Sequence, residues 1–198
     1  MNLEKTAKNL RTAGFSVQVF DSGAEAAEWL NRQVDGKTVG IGGSATVKAL
    51  GLYELLKTHN TVYWHWEQDQ DEARRNAMNA DVYLCSANAV AETGEIVNID
   101  GRGNRVASTL FGHEKVYFLV GQNKITESYE DAVRRARNVA APKRAAQFNT
   151  KTPCVANGSD RCYNCKSPER VCRAMVTLWG PMMGMETEIL LIREDLGL

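Results

Sequence analysis

Short apolar runs and amphipathic stretches take turns along this chain five or six times, and that alternation leaves few folds open to it. The runs "FSVQVF" (15–20), "TVGIGG" (38–43), "TVYWHW" (61–66), "DVYLCS" (81–86), "KVYFLVG" (115–121) and "TEILLIRE" (187–194) read as strands. Residues 3–13, 22–33, 69–79 and 126–140 read as helices between them, the first with Leu3, Ala7 and Leu10 on one face. Ser44–Leu50 and Tyr53–Lys57 add two short helical pieces. The last long helix has Thr126 as its cap, acids early and arginines late, and Pro142 is expected to interrupt it. Such alternation specifies an α/β fold in three layers around a mostly parallel sheet. The unbroken apolar run 115–121 suits a sheet covered on both faces. "AVAETGEIVNID" (89–100) breaks the pattern as a local β-hairpin turning at Thr93-Gly94, and Asn104–Phe111 reads as a short helix.

The chain has 198 residues, enough to bury a full core, and no repeat or linker divides it, so residues 1–198 are expected to form one domain. Lysine plus arginine and aspartate plus glutamate both number 24, which removes any long-range pull on nucleic acid. No apolar run approaches the ~18 residues of a membrane span. The start, "MNLEKTAKNL", has no apolar signal segment. A cytoplasmic location is the expectation, and there disulfides are disfavoured.

Two polar stretches follow strands. "VGIGGSAT" (39–46) is a strand running into Gly40, Gly42 and Gly43, then Ser44 and Thr46 at a helix start. Glycines allow close backbone approach, and free N–H groups with hydroxyls suit a phosphate or carboxylate. The same pattern serves equally as a tight turn with Ser44 as an N-cap. In "SANAVAETGEIVNIDGRGNRVA" (86–107), Asn88, Asn98 and Asn104 could line a pocket at the same sheet edge, with Glu92 and Asp100 as acid/base groups. Taken singly, each of these residues also fits turn chemistry.

The order "VGIGGSATVKALGL", "ADVYLCSANAVAETGEIVNIDGRGNRVA", "VYFLVGQNKIT", "VAAPKRAAQ" and a terminal "EDLGL" resembles the lactate-utilisation (LUD) domain family over most of the chain. The resemblance implies a fold like that of ribose-5-phosphate isomerase and the CoA-transferases. It also implies an anionic ligand at Gly42, Gly43, Ser44 and Thr46, and an acid or base from the loop spanning Asn88 to Asp100. Related sugar isomerases carry an Asp where Asn88 aligns, and an amide does not exchange protons at neutral pH. The family is associated with oxidation of lactate to pyruvate in iron–sulfur-containing complexes, which implies iron–sulfur redox proteins as partners.

Four of the five cysteines fall in "CVANGSDRCYNCKSPERVC": Cys154, Cys162, Cys165 and Cys172, spaced C-x7-C-x2-C-x6-C. Zinc sites usually pair two short knuckles, whereas here one knuckle has two lone flanking thiols. The loop resembles the [4Fe–4S] loop of some DNA-repair glycosylases, with longer outer gaps. An iron–sulfur cluster is the first reading and zinc the second, with reduced free thiols as the plain alternative, on a segment inserted before the last strand. Ser167, Pro168 and Glu169 read as a helix start that would put Cys172 on the first turns, with Arg161, Lys166, Arg170 and Arg173 offsetting thiolate charge. A non-redox isomerase or CoA-transferase-like enzyme with structural zinc, or a non-catalytic assembly subunit, are the other functions this composition allows.

Of the remaining singular residues, Cys85 reads as core, His65 as packed between tryptophans, and His113 as a loop residue. Arg134, Arg135 and Arg137 read as a solvated helix end, while Lys143 and Arg144 could reach an anion. Met182, Met183 and Met185 read as an apolar packing patch.

Overall fold

The computed structural model describes residues 2–198. Six strands, β1 (Ser16–Phe20), β2 (Thr38–Ile41), β3 (Thr61–Trp64), β4 (Val82–Cys85), β7 (Lys115–Gly121) and β10 (Glu186–Ile192), form a sheet in the order β1-β10-β7-β4-β2-β3. All five pairings are parallel, so their carboxyl ends share one edge.

Alternate residues of these strands feed two separate cores, as the pleat requires. Val39, Ile41, Val82, Leu84, Leu119 and Leu190 face one side. There α2 (Gly23–Gln33), α3 (Ala45–Ala49) and α4 (Leu52–Leu56) cover them with Ala27, Leu30, Val47, Leu52 and Leu56. Tyr83, Cys85, Val116, Phe118, Val120 and Ile189 face the other side. They meet α1 (Leu3–Thr12) and a smaller sheet built from β5 (Ala89–Ala91), β6 (Ile96–Asp100), β8 (Ile125–Thr126) and β9 (Ala174–Leu178). α5 (Gln70–Ala77) sends Ala77 into that second core. Beyond the smaller sheet, α7 (Tyr129–Arg135) packs Ala132 on Ala89, Ala91 and Val97.

The expected hairpin is present as β5 and β6, paired antiparallel, but it is the centre of a four-stranded mixed sheet rather than an isolated ribbon. β8 joins one edge in parallel and β9 the other in antiparallel fashion. β9 is a strand the sequence did not announce, and it follows the cysteine segment directly. The short helix expected from Asn104 is α6 (Asn104–Ser108).

Three local expectations need correction. Thr126 belongs to β8, and Ser128 caps α7 by accepting a hydrogen bond from the Asp131 amide. Pro142 does not interrupt the helix. A wide π turn over Ala136–Ala140 follows α7, and Pro142 occupies the first turn of α8 (Ala141–Gln147), where its missing N–H costs nothing. The helix expected from Ser167 is a single turn, in which the Arg170 amide donates to the Ser167 carbonyl at 3.0 Å. The Arg173 amide then donates to Asp100 O at 2.9 Å and the chain enters β9 at Ala174, so Cys172 lies in the irregular stretch before that strand and not on a helix.

Candidate functional site

Loops leaving the carboxyl ends of β2, β3, β4 and β7 surround a cavity of about 600 Å³. β3 and β4 flank β2 on opposite sides, so successive connections diverge at β2, the kind of switch point where open α/β sheets leave a crevice. β2 contributes Gly43 and Ser44, β3 contributes His65 and Trp66, β4 contributes Ser86 and Asn88, and β7 contributes Lys124. The loop after β6 adds Asp100, Arg102, Asn104 and Arg105, and α8 adds Arg144.

Cations dominate this lining. Seven arginine and lysine residues line it, Arg74, Arg102, Arg105, Lys124, Arg144, Arg170 and Arg173, against two acidic side chains, Asp100 and Glu169. Among the described residues only Arg74 and Arg105 of the seven take part in salt bridges, to Asp71 and Asp100, which leaves five without an acidic partner. The zero net charge of the chain thus conceals a strongly positive crevice.

The glycine loop serves this site differently from expectation at two positions. Gly42 does not line the cavity; a Cβ there would lie 2.9 Å from the Tyr83 hydroxyl and 3.1 Å from Arg105 Cγ, so it is glycine to let Arg105 pass. Thr46 is buried behind the wall, where its hydroxyl donates to Leu196 O at 3.2 Å. Gly43 and Ser44 do face the cavity, and Ser44 also caps α3 by accepting from the Val47 amide at 3.2 Å.

The hairpin residues divide likewise. Asn88, Asp100 and Asn104 line the cavity. Asn98 is buried, and its Oδ1 accepts from Arg105 and from the Asn88 amide. Asp100 is tied down by the amides of Arg102, Gly103 and Val106 at 3.0 to 3.2 Å, so its carboxylate holds the loop into α6, whose N-cap position is Gly103. Glu92 lies outside the cavity lining. Its carboxylate accepts from the Asn2 amide at 2.7 Å and pairs with Lys5 at 2.9 Å, and these contacts hold it below the usual carboxylate range. It anchors the start of α1 to the turn after β5.

Lys124 and Arg105 escaped the sequence reading. Arg105 donates to the carbonyls of Ser86 and Ile99 at 2.9 and 2.8 Å and to the side chains of Asn88 and Asn98, bracing β4 against β6. Lys124 is buried, and its Nζ donates to Thr46 Oγ1 at 2.7 Å and Ser86 Oγ at 2.8 Å. Burial, reinforced by Arg135 and Arg105, pushes its amine down to about 7. A lysine directly after an apolar strand that ends at the ligand edge, in "VGQNKIT", was the available signal. His65 is only partly packed. It faces the cavity edge-on to Trp66 across 6.2 Å between ring centroids, and burial with nearby Arg74 and Arg144 lowers its imidazole to about 4. Arg144 does reach the cavity, stacked between Trp66 and Phe148 at 5.0 and 4.2 Å. Arg135 is not a solvated helix end, since it donates to the carbonyls of Asn123 and Asn88. His113 lies in the loop before β7, as expected, but is buried there against Tyr83, and Cys85 is core. Of the three methionines, Met185 is buried and Met182 packs at the core margin, whereas Met183 is fully exposed.

The cysteine segment forms one wall of this cavity through Glu169–Arg173. Cys154, Cys162, Cys165 and Cys172 all border a second, small cavity of about 20 Å³ beside it, together with Arg137 and Arg170. All four thiols are free and half-buried. Arg170 donates to the carbonyls of Cys165 and Cys172 at 2.8 Å each, closing the loop on itself. The Asn164 amide points at Cys162 Sγ at 3.4 Å, and the Cys162 amide donates to Asn138 in the π turn at 3.0 Å. Left-handed backbone at Ser159 and Asn164 lets the loop curl around the thiols. Among the described residues, no group of three or more His, Cys, Asp or Glu side chains is arranged to hold a single metal ion. Four free thiols around one cavity, with an amide aimed at one sulfur and arginines beside them, nevertheless fit the donor set of a thiolate-held cluster.

Residues 3–192 match the family model of the LUD domain. No curated protein matches the chain. Among solved structures, a DUF162 family protein from Deinococcus radiodurans is similar in fold, with a TM-score of 0.57 at 16% identity, covering 96% of this chain and 95% of that one. No helix is long and apolar enough to cross a membrane.

Proposed function

The chain belongs to the LUD domain family, associated with lactate utilisation, and from that premise we propose that it binds a small organic anion in the basic cavity and carries an iron–sulfur cluster beside it. One observation carries the ligand half: four guanidiniums, Arg102, Arg144, Arg170 and Arg173, line a single crevice without acidic partners among the described residues, and an anion is what such a crevice stabilises most. Arg144, held over two aromatic rings and by a hydrogen bond from one Nη to Gln147 at 2.6 Å, lines the cavity with a charge suited to a carboxylate or phosphate. Support for the cluster half is the shared cavity of Cys154, Cys162, Cys165 and Cys172, which adjoins the anion cavity at Cys172. These thiolates would hold the group, and a [4Fe–4S] cluster supplies one-electron transfer. Iron–sulfur redox proteins are the partners such a role requires, and the activity would be a step in lactate or related organic-acid oxidation.

Anaerobic purification with iron and sulfide analysis, run beside a thermal-shift screen of hydroxy acids, oxo acids and phosphate esters, tests both halves. About four iron and four sulfide per chain are expected of a [4Fe–4S] cluster, together with stabilisation by at least one carboxylate. A colourless protein with stoichiometric zinc would overturn the redox half. Indifference to every anion would overturn the ligand half.

A further inference from the structure

Resting on that anion-binding reading, we infer that Lys124 is a nucleophilic amine that forms an imine with an oxo acid bound in the cavity. The hydrogen bonds around Nζ lead there. Lys124 donates to Thr46 Oγ1 at 2.7 Å and to Ser86 Oγ at 2.8 Å. Neither hydroxyl has a proton to give back. The Ser86 hydroxyl donates to Leu119 O, and the Thr46 hydroxyl donates to Leu196 O at 3.2 Å. Both oxygens therefore accept from the nitrogen, and two of its positions are used on N–H bonds. The third position has no protein acceptor, and no carboxylate pairs with Lys124 among the described residues. An ammonium there would be a nearly buried charge with no carboxylate partner, beside Arg105 and Arg135. A free amine instead directs a lone pair at that position. Burial and the two guanidiniums favour the same uncharged form. Because Lys124 lines the cavity, what occupies the cavity can meet the lone pair.

The chemical class of the partner follows from the surroundings. A neutral amine reacts with a carbonyl carbon, and the cations across the cavity, Arg102 and Arg144 among them, require that the carbonyl compound carry an anion. An oxo acid has both. The nitrogen lone pair forms the C–N bond while the carbonyl π pair moves to oxygen. Both nitrogen protons then leave with that oxygen as water, and the C=N bond forms. Thr46 and Ser86, which already accept those two protons in hydrogen bonds, lie where the transfer must begin. The step consumes no oxidant or reductant.

Full-length protein incubated with pyruvate or 2-oxoglutarate and then treated with borohydride, followed by peptide mass mapping, tests the inference. Equilibrium dialysis of the same acids without reductant gives binding separately. The expected result is a reduced secondary-amine adduct on Lys124 at least tenfold above any surface lysine, lost when a competing hydroxy acid fills the cavity. An oxo acid that binds without marking Lys124 overturns the imine and leaves the anion reading standing. Failure of every oxo acid to bind overturns the imine, while stabilisation by other anions would still uphold the ligand site. The measurement uses the unmodified protein, so it does not depend on a Lys124 variant folding.

Discussion

Gly101 and Val171 meet backbone to backbone: a Cβ on residue 101 would collide with the Val171 carbonyl oxygen. One residue belongs to the loop that lines the anion cavity, and the other lies between Arg170 and Cys172 of the cysteine segment. Gly101→Ala must therefore push the two apart. The expected loss is about 1–3 kcal/mol in urea unfolding, with thiol labelling of Cys172 accelerated several-fold. Unchanged labelling would mean that the segment is not held there.

Glu92 is a strut rather than a proton carrier. Glu92→Gln removes the ion pair to Lys5 and weakens the bond to the Asn2 amide, at a cost of about 1–3 kcal/mol. Anion affinity, measured by calorimetry, should stay within about twofold, because residue 92 does not line the cavity. A large drop in affinity without a drop in stability would reverse this assignment.

Two groups make stability depend on pH in the same sense. His65 titrates at about 4 when folded against 6.5 in the free side chain, so the unfolded chain binds the proton more readily, and stability is lost as pH falls from 6.5 through 4. Lys124 titrates at about 7 against 10.5, so stability is likewise lost as pH falls from 10.5 through 7. The melting temperature should climb between pH 5 and pH 8. His65→Phe should flatten the acid limb by about 1–2 kcal/mol, less than the full shift because the ring is half exposed to solvent screening. An equally steep acid limb in the variant would remove His65 as its source.

Arg144 is held by stacking on Trp66 and Phe148 and has no acidic partner among the described residues. Arg144→Met keeps much of that apolar contact and removes the charge. Affinity for a bound carboxylate should fall about tenfold, the worth of one charge-assisted hydrogen bond, and should become less sensitive to salt. Equal affinity and an equal salt slope would take Arg144 out of the site.

The large sheet was legible because each of its strands is an apolar run bounded by turn residues, and the edge that carries ligands follows once the strands are parallel. β9 was not legible. "AMVTL" is a half-exposed edge strand, and its reason to be extended is β6, almost eighty residues earlier. The Ser167 helix failed for the same cause, since local capping chemistry was overridden by pairing of the next residues with Asp100. Asn88, Asp100, Asn104, Gly43 and Ser44, read together because each follows a strand, line one cavity. Glu92 was indistinguishable from them in sequence, because the same hairpin sends its turn to α1 and its ends to the cavity. Arg105 and Lys124 carry no periodicity of their own. Their importance comes from which oxygens surround them, and those oxygens arrive from Thr46 in α3, Ser86 and Asn88 after β4, and Asn98 and Ile99 in β6.

The π turn at Ala136–Ala140 sets the phase of everything downstream. Arg135, before it, addresses the carbonyls of Asn88 and Asn123; Asn138, within it, holds the Cys162 amide; Arg144, after it, stacks over the cavity. One continuous run of helix thereby serves three separate sets of partners. Deleting a single residue from 136–140 would restore regular winding and rotate α8 by about 100°, swinging Arg144 away from Trp66. The wide turn works as a gear tooth, and its presence or loss in a related chain would report whether cysteine loop and anion cavity are still geared together.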